Sequence, residues 1–210
     1  MSESQPRPRF DLCGGHPVLD FVNSLDNRFR DDGPTELLTD YATLLGFTRD
    51  TGLLDERHTH RLADCVSPAA AARALHSARD LREALAAAFY AHATGRTPPP
   101  AALATLERHF HAANRHRELR WGSSPGKPAC GAGPRWDRNR FSMRAELPVW
   151  LLSQAAAQLM LSDTLPRVRA CAADNCRWLF LDTSRNHTRR WCNMRVCGNR
   201  MKARRFQARR

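Results

Sequence analysis

Lysine is almost missing from this chain: of its 33 Lys and Arg residues, only Lys127 and Lys202 are lysine. The composition is also rich in alanine, so arginine abundance alone carries little, and its placement carries more. No stretch of about 18 apolar residues occurs, which excludes a membrane-spanning helix. The opening residues MSESQPRPR are polar and run into no apolar segment, so a secretory leader is not expected and the cytoplasm is the default compartment. No HExxH, GxSxG or phosphate-loop pattern is present. His58 and His60, like His109 and His111, are two apart and fall on opposite sides of a helix. No catalytic residue is assigned, and an enzyme is not expected.

What is present is a chain of 210 residues, 42% hydrophobic, enough to bury a core, with a net charge of +12. That charge is unevenly placed. Residues 1–166 hold 20 basic and 19 acidic residues, a balance of +1, while residues 167–210 hold 13 basic residues against Asp174 and Asp182, a balance of +11. Four of the seven cysteines lie in the same tail. The chain reads as a near-neutral body, 1–166, and a basic, cysteine-rich tail, 167–210. Such asymmetry points first to nucleic acid, then to a membrane surface or an acidic partner. In a reducing compartment the cysteines are metal ligands, catalytic groups or core fillers rather than disulfides.

The body has a helical pattern. Pro17 opens a short helix with Val18, Leu19, Phe21, Val22 and Leu25 on its apolar face. Thr39 is a candidate cap for a helix that has ended by Gly52. Ser67-Pro68 opens a long helix to about Thr94, striped by Leu75, Ala78, Leu81, Leu85, Ala88, Phe89 and His92, with Arg79 and Glu83 paired on its wet side. After the prolines at 98–100, Leu103, Leu106, Phe110 and Ala113 mark a shorter helix. Alternation at Leu119 and Trp121, and again at Phe141 and Met143, predicts a β-hairpin around a glycine-rich loop. Pro148 opens an apolar helix to about Leu161, with a narrow polar edge at Ser153, Gln154, Gln158 and Ser162. The fold class expected is mainly α: a multihelical body with a small β-hairpin, then a small module of short strands and a basic C-terminal helix.

In the tail the cysteines form two C-x4-C pairs, Cys171 with Cys176 and Cys192 with Cys197, fifteen residues apart. Two knuckles that each direct two sulfurs inward suit one tetrahedral ion, and four thiolates leave no open position, so the site reads as one structural Zn2+. An iron–sulfur cluster is the weaker alternative, and His187 is a candidate substitute ligand. Few apolar residues accompany the cysteines, and a core that small needs a staple, which metal binding supplies. Cys13, Cys65 and Cys130 look scattered and read as free thiols.

Arginines surround this site. Guanidinium groups fork onto phosphates and guanine edges, and amides at Asn186 and Asn199 can face adenine or hold the backbone. From Gly198 onward the chain reads as a helix with charge on all sides. Met201 and Phe206 define no single apolar stripe, which argues against a membrane-lying helix. A basic helix after a zinc knuckle suits a DNA groove or its flanking phosphates. RNA is a variant of this reading, though the stacking aromatics it favours are few: Trp178, Phe180 and Trp191.

The run from Arg169 to Lys202 resembles the CGNR zinc finger, whose four naming residues stand here at Cys197-Gly198-Asn199-Arg200. The supporting residues are Cys171, Cys176, Phe180, Asp182, Ser184-Arg185-Asn186, Arg189-Arg190-Trp191-Cys192, Met194 and Lys202. The body resembles the ABATE domain that usually precedes that finger. This rests on Gly15-His16-Pro17, on Leu19 to Ser24 with Arg28, and on the order of helices and hairpin; Ser24 stands where the family often has Thr. The resemblance implies a bacterial, stress-induced transcription regulator with a mostly helical fold and one zinc. It implies zinc ligands at Cys171, Cys176, Cys192 and Cys197, and DNA-facing residues at Arg185, Arg189, Arg190, Arg200 and Lys202, to which the reading of the amides and the basic helix adds Asn186, Asn199, Arg204 and Arg205 as candidates. It has Asp182 orienting a neighbouring arginine and Gly198-Asn199 shaping the turn into the last helix. The body becomes a sensor or dimerisation unit, in which His16, Asp20, Asn23 and Arg28 either line a pocket for an unidentified small-molecule effector or tie local backbone. The expected partners are DNA, such an effector and a second copy of the chain, in a nucleoid-associated, cytoplasmic protein. The alternative is a zinc-finger interaction or thiol redox-sensing module without sequence-specific DNA binding.

Overall fold

Residues 10–122, 133–137 and 143–208 are described by the computed structural model. They contain seven α-helices and three two-stranded antiparallel sheets, so the protein is mainly α. Helix α1 (Pro17–Asn23) begins at a proline, whose missing N–H costs nothing in a first turn, and His16 Nδ1 caps it by accepting from the Val18 amide at 3.2 Å. A minimal sheet of β1 (Leu25–Asp26) and β2 (Thr35–Glu36) follows. Helix α2 (Tyr41–Asp50) is capped by Asp40, not Thr39. The Asp40 carboxylate accepts from the Thr43 amide at 2.7 Å, and the Thr43 hydroxyl accepts from the Asp40 amide at 3.1 Å, a reciprocal box. Helix α3 (Glu56–Cys65) escaped the periodicity reading because it buries only Thr59 and Leu62.

Helix α4 (Pro68–Ala93) starts at the Ser67 cap as expected and runs through the centre, flanked by α5 (Pro100–Arg115) and α6 (Leu147–Met160). The main core joins Val18, Leu19, Phe21 and Val22 of α1 to Leu81, Leu85 and Phe89 of α4 and Leu152 of α6. Each of these is at most 1% exposed, and burying one such side chain contributes about 1.5–3 kcal/mol. Leu103 departs from the expected inward face of α5: it is 42% exposed, while Leu106 and Ala113 are buried. The expected Arg79–Glu83 pair is not made. Arg79 reaches back to the carbonyl of Leu38 at 2.6 Å, and Glu83 pairs with Arg28 and Arg82. Arg82, 3% exposed, forks onto both carboxylate oxygens of Glu36 at 2.7 Å, which is how a buried guanidinium is tolerated.

The hairpin exists, with a different second strand. Strand β3 (Glu118–Gly122) pairs with β4 (Gly133–Asp137), Leu119 opposite Trp136 and Trp121 opposite Pro134. The second strand thus begins inside the segment read as loop; Phe141 lies outside the described residues, and Met143 sits in a turn.

A single 3-10 turn (Leu165–Arg167) leads to the third sheet, β5 (Val168–Ala170) with β6 (Leu179–Leu181). Val168 and Leu179 belong to the main body core, so the tail does not hang free of it. Helix α7 (Asn199–Gln207) closes the described chain.

Candidate metal centre

The loop between β5 and β6 carries the first cysteine pair. The Cys171 amide donates to the Trp178 carbonyl at 2.8 Å, and the Cys176 amide donates to the Ala173 carbonyl at 2.9 Å, closing a tight knuckle. Arg177 sits at φ 58, the left-handed turn that returns the chain to β6. The second pair brackets the start of a short π-helical turn, Met194–Gly198, with Cys192 just before it and Cys197 within it. Asn193 caps that turn by accepting from the Arg195 amide at 2.9 Å, and the Cys197 amide donates to the Asn193 carbonyl at 2.9 Å. Gly198 is buried, and a Cβ there would run into Met194 Sδ, so glycine fits this turn into α7. The knuckles are joined by the Ala172 amide donating to the Arg190 carbonyl at 2.8 Å.

The four sulfurs of Cys171, Cys176, Cys192 and Cys197 lie within 4.8 Å of one another. Cys176 to Cys192 is 3.6 Å and Cys192 to Cys197 is 3.8 Å. A disulfide would need about 2.05 Å. A tetrahedron with zinc–sulfur bonds of about 2.3 Å has edges of about 3.8 Å. The donor set therefore fits one zinc ion in a closed, structural site. Hydrogen bonding from the Cys176 and Cys192 thiols holds Cys171 far below the usual thiol range, while neighbouring thiols and burial push Cys176, Cys192 and Cys197 up, as expected when four sulfurs crowd together. His187, exposed at φ 50, is not part of this sulfur cluster.

Asp182 braces the second knuckle. It is fully buried; Oδ1 accepts from the Ser184 amide and hydroxyl at 3.0 and 2.6 Å, and Oδ2 accepts from the Arg189 amide at 3.0 Å, with Arg169 Nε at 3.5 Å. Burial alone would raise its pKa, but these donors hold it below the ordinary carboxylate value.

The remaining site residues predicted from sequence fall into distinct places. Arg185, Asn186, Arg190, Asn199, Lys202 and Arg204 are exposed, and Arg205 follows on α7. Arg190 lies over the Trp191 ring at 5.5 Å. Arg189 turns inward: Nε donates to the Trp191 carbonyl at 2.9 Å, Nη2 donates to the Cys192 carbonyl, and the guanidinium lies 4.7 Å over Phe180. Arg200 is half-buried in a cavity between tail and body.

On the body side, Asp20 accepts from the Gly14 amide at 2.7 Å, and burial raises its pKa to about 6. Arg28 pairs with Glu83. Asn23 reaches 156 residues ahead: its Nδ2 donates to the Leu179 carbonyl and its Oδ1 accepts from the Leu179 amide, both at 2.9 Å. The side-chain amide extends the β5–β6 sheet as a neighbouring strand would, tying α1 to the cysteine module. Gly14 accepts from the Leu181 amide at 2.7 Å, and Trp178 Nε1 donates to Asp26 at 2.8 Å, on the same seam. Cys13, which looked scattered, packs against the sulfur cluster, and its thiol, the other cluster thiols and burial together push Cys192 up. Nothing local in sequence announces that contact. Cys65 is exposed, and Cys130 lies outside the described residues.

Residues 15–165, more than half of the chain, match the model of a family described as "Putative stress-induced transcription regulator", ABATE. The chain belongs to the ABATE family. Residues 167–210 match the CGNR zinc finger directly after it. Neither the ABATE family nor the CGNR finger is an enzyme family. No curated protein matches the chain. No described helix of this ABATE protein is long and apolar enough to cross a membrane.

Proposed function

We infer that this protein is a DNA-binding transcription regulator in which the zinc-stapled finger, residues 167–210, docks on DNA, and the helical unit, residues 1–166, senses an effector or dimerises. The observation that carries this is the closed four-sulfur centre with arginines displayed around it: a metal site with no open position does no chemistry of its own and leaves the charged surface as the working part. Arg185, Arg190, Arg195, Lys202 and Arg204 are exposed and suited to phosphates. A groove of about 340 Å³ beside them is lined by Arg169, Arg177, Arg189 and Arg190 against one carboxylate, Asp174. Arg189 serves this surface indirectly, by holding the Cys192 knuckle in shape. The protein acts in the cytoplasm, on the nucleoid. The test is Cys192→Ser: zinc content and affinity for duplex DNA fall together. Unchanged zinc content and unchanged DNA affinity overturn the reading.

A second reading, thiol redox sensing, is favoured by Cys13 packed against the cluster. Oxidation of zinc-bound thiolates would release the metal. Peroxide titration with a zinc-binding dye tests it, and absence of release below damaging doses rejects it.

A further inference from the structure

Between the body and the finger lies a cavity of about 140 Å³, walled on one side by the sulfur cluster. Taking about 30 Å³ per water, it has room for roughly five waters. Two carboxylates, Asp11 and Asp26, and two guanidinium groups, Arg30 and Arg200, line it together with Asn175 and Trp178. Several of these groups lack the partners expected of them. Arg200 is half-buried, and no hydrogen bond or ion pair joins its guanidinium to another described residue. Arg30 makes one long bond, Nε to the Asn175 carbonyl at 3.4 Å. Asp26 uses only Oδ1, which accepts from Trp178 Nε1 at 2.8 Å and from the Asn27 amide at 2.6 Å.

We propose that this junction cavity binds a small α-amino acid, its carboxylate on Arg200 and Arg30 and its ammonium on Asp26 Oδ2. A half-buried carboxylate oxygen with no donor asks for an N–H group, because leaving it unpaired is costly. Unpaired guanidinium groups ask for a carboxylate, which they hold by charge-assisted and often bidentate bonds. A molecule carrying both charges within a few atoms answers both demands. It also suits a wall that includes three of the four cluster cysteines, Cys176, Cys192 and Cys197, since four thiolates on a dication would carry net negative charge that favours the ammonium and repels a plain anion. The volume limits the ligand to a short side chain, with Trp178 as its apolar neighbour. The bound molecule would touch both the body, through Asp26 and Arg30, and the finger, through Trp178 and Arg200. It would therefore stiffen the seam that carries Arg200 and couple occupancy to the finger's surface by reciprocal linkage.

The test uses the full, zinc-loaded chain without DNA, so its outcome does not depend on the DNA reading. Glycine, L-alanine, L-serine and L-leucine are titrated by calorimetry and by thermal shift up to about 10 mM, with sodium acetate and methylammonium as the two halves of the zwitterion. The expected result is saturable one-to-one binding of at least one of the three smaller amino acids, weaker for L-leucine and absent for either half alone. Arg200→Gln should weaken it about tenfold or more. Arg30→Gln, at an exposed position that spares the fold, should weaken it in the same direction. Absence of binding by all four amino acids overturns the proposal, as does binding that acetate or methylammonium reproduces or that both substitutions leave unchanged.

Discussion

Replacing Asn23 by Ala removes the two hydrogen bonds that fasten α1 to β6. Asn23 is 3% exposed and Leu179 is fully buried, so neither backbone group of Leu179 gains water in exchange. Each satisfied bond contributes about 1 kcal/mol, and each buried group left unsatisfied costs about 1–3 kcal/mol. The side chain that remains also leaves a small void beside Leu179. Together these put the loss of stability at about 3–5 kcal/mol, a large part of the margin of an ordinary domain. The assay is urea unfolding of the zinc-loaded protein at neutral pH, with amide exchange at Leu179 and Leu181 as a local readout. Exchange there should rise before the body unfolds, because the substitution opens the seam. Asn23→Asp should fall between, since a carboxylate still accepts from the Leu179 amide but faces the Leu179 carbonyl with a second acceptor. A loss below about 1 kcal/mol with unchanged protection at Leu179 would refute the account of Asn23 as the clamp.

Other expectations follow from buried charge. Asp20 has a pKa raised to about 6 by burial, so the folded chain holds its proton more tightly than the unfolded chain. Stability from this group is present below about pH 4 and is lost as pH rises through about 6, by up to about 3 kcal/mol. Asp20→Asn should therefore gain on the parent between pH 4 and 7, as measured by paired urea curves; a pH-independent difference contradicts it. Arg82→Met strands Glu36 and should cost about 3 kcal/mol or more, while adding Glu36→Met should recover most of it, the usual behaviour of a buried pair. Equal losses in the single and double variants would contradict that.

Much of this was legible in the sequence where a local signal existed. Prolines in the first turn marked α1, α4 and α6, with a serine cap at α4, and a 3.6-residue stripe marked the central helix. The two C-x4-C pairs announced the metal centre because each knuckle is a local turn. Helix α3 was silent because its surface is nearly all wet. The cap of α2 was misplaced by one residue because Thr39 and Asp40 are both good caps, and only the carboxylate reaches Thr43. The hairpin's second strand was drawn too late because glycine and proline at 133 and 134 mimic a loop. Asn23 against Leu179, Cys13 against Cys192, and Arg200 in the seam depend on contacts across most of the chain. No periodicity encodes these. They arise only when β5 and β6 enter the body core.

The central claim is that the zinc-held shape of the finger presents a phosphate-binding surface. The direct measurement is the affinity of the full chain for a random-sequence DNA duplex across a range of salt concentrations, with zinc bound and after chelation. The zinc-loaded protein should show log affinity falling linearly with log salt, by about 0.9 per phosphate neutralised, and so by about 4–5 if Arg185, Arg190, Arg195, Lys202 and Arg204 each neutralise one phosphate. Chelation should abolish that steep dependence together with the binding. A zinc-loaded protein that fails to bind DNA, or one whose affinity and salt slope survive removal of the metal, would contradict the account.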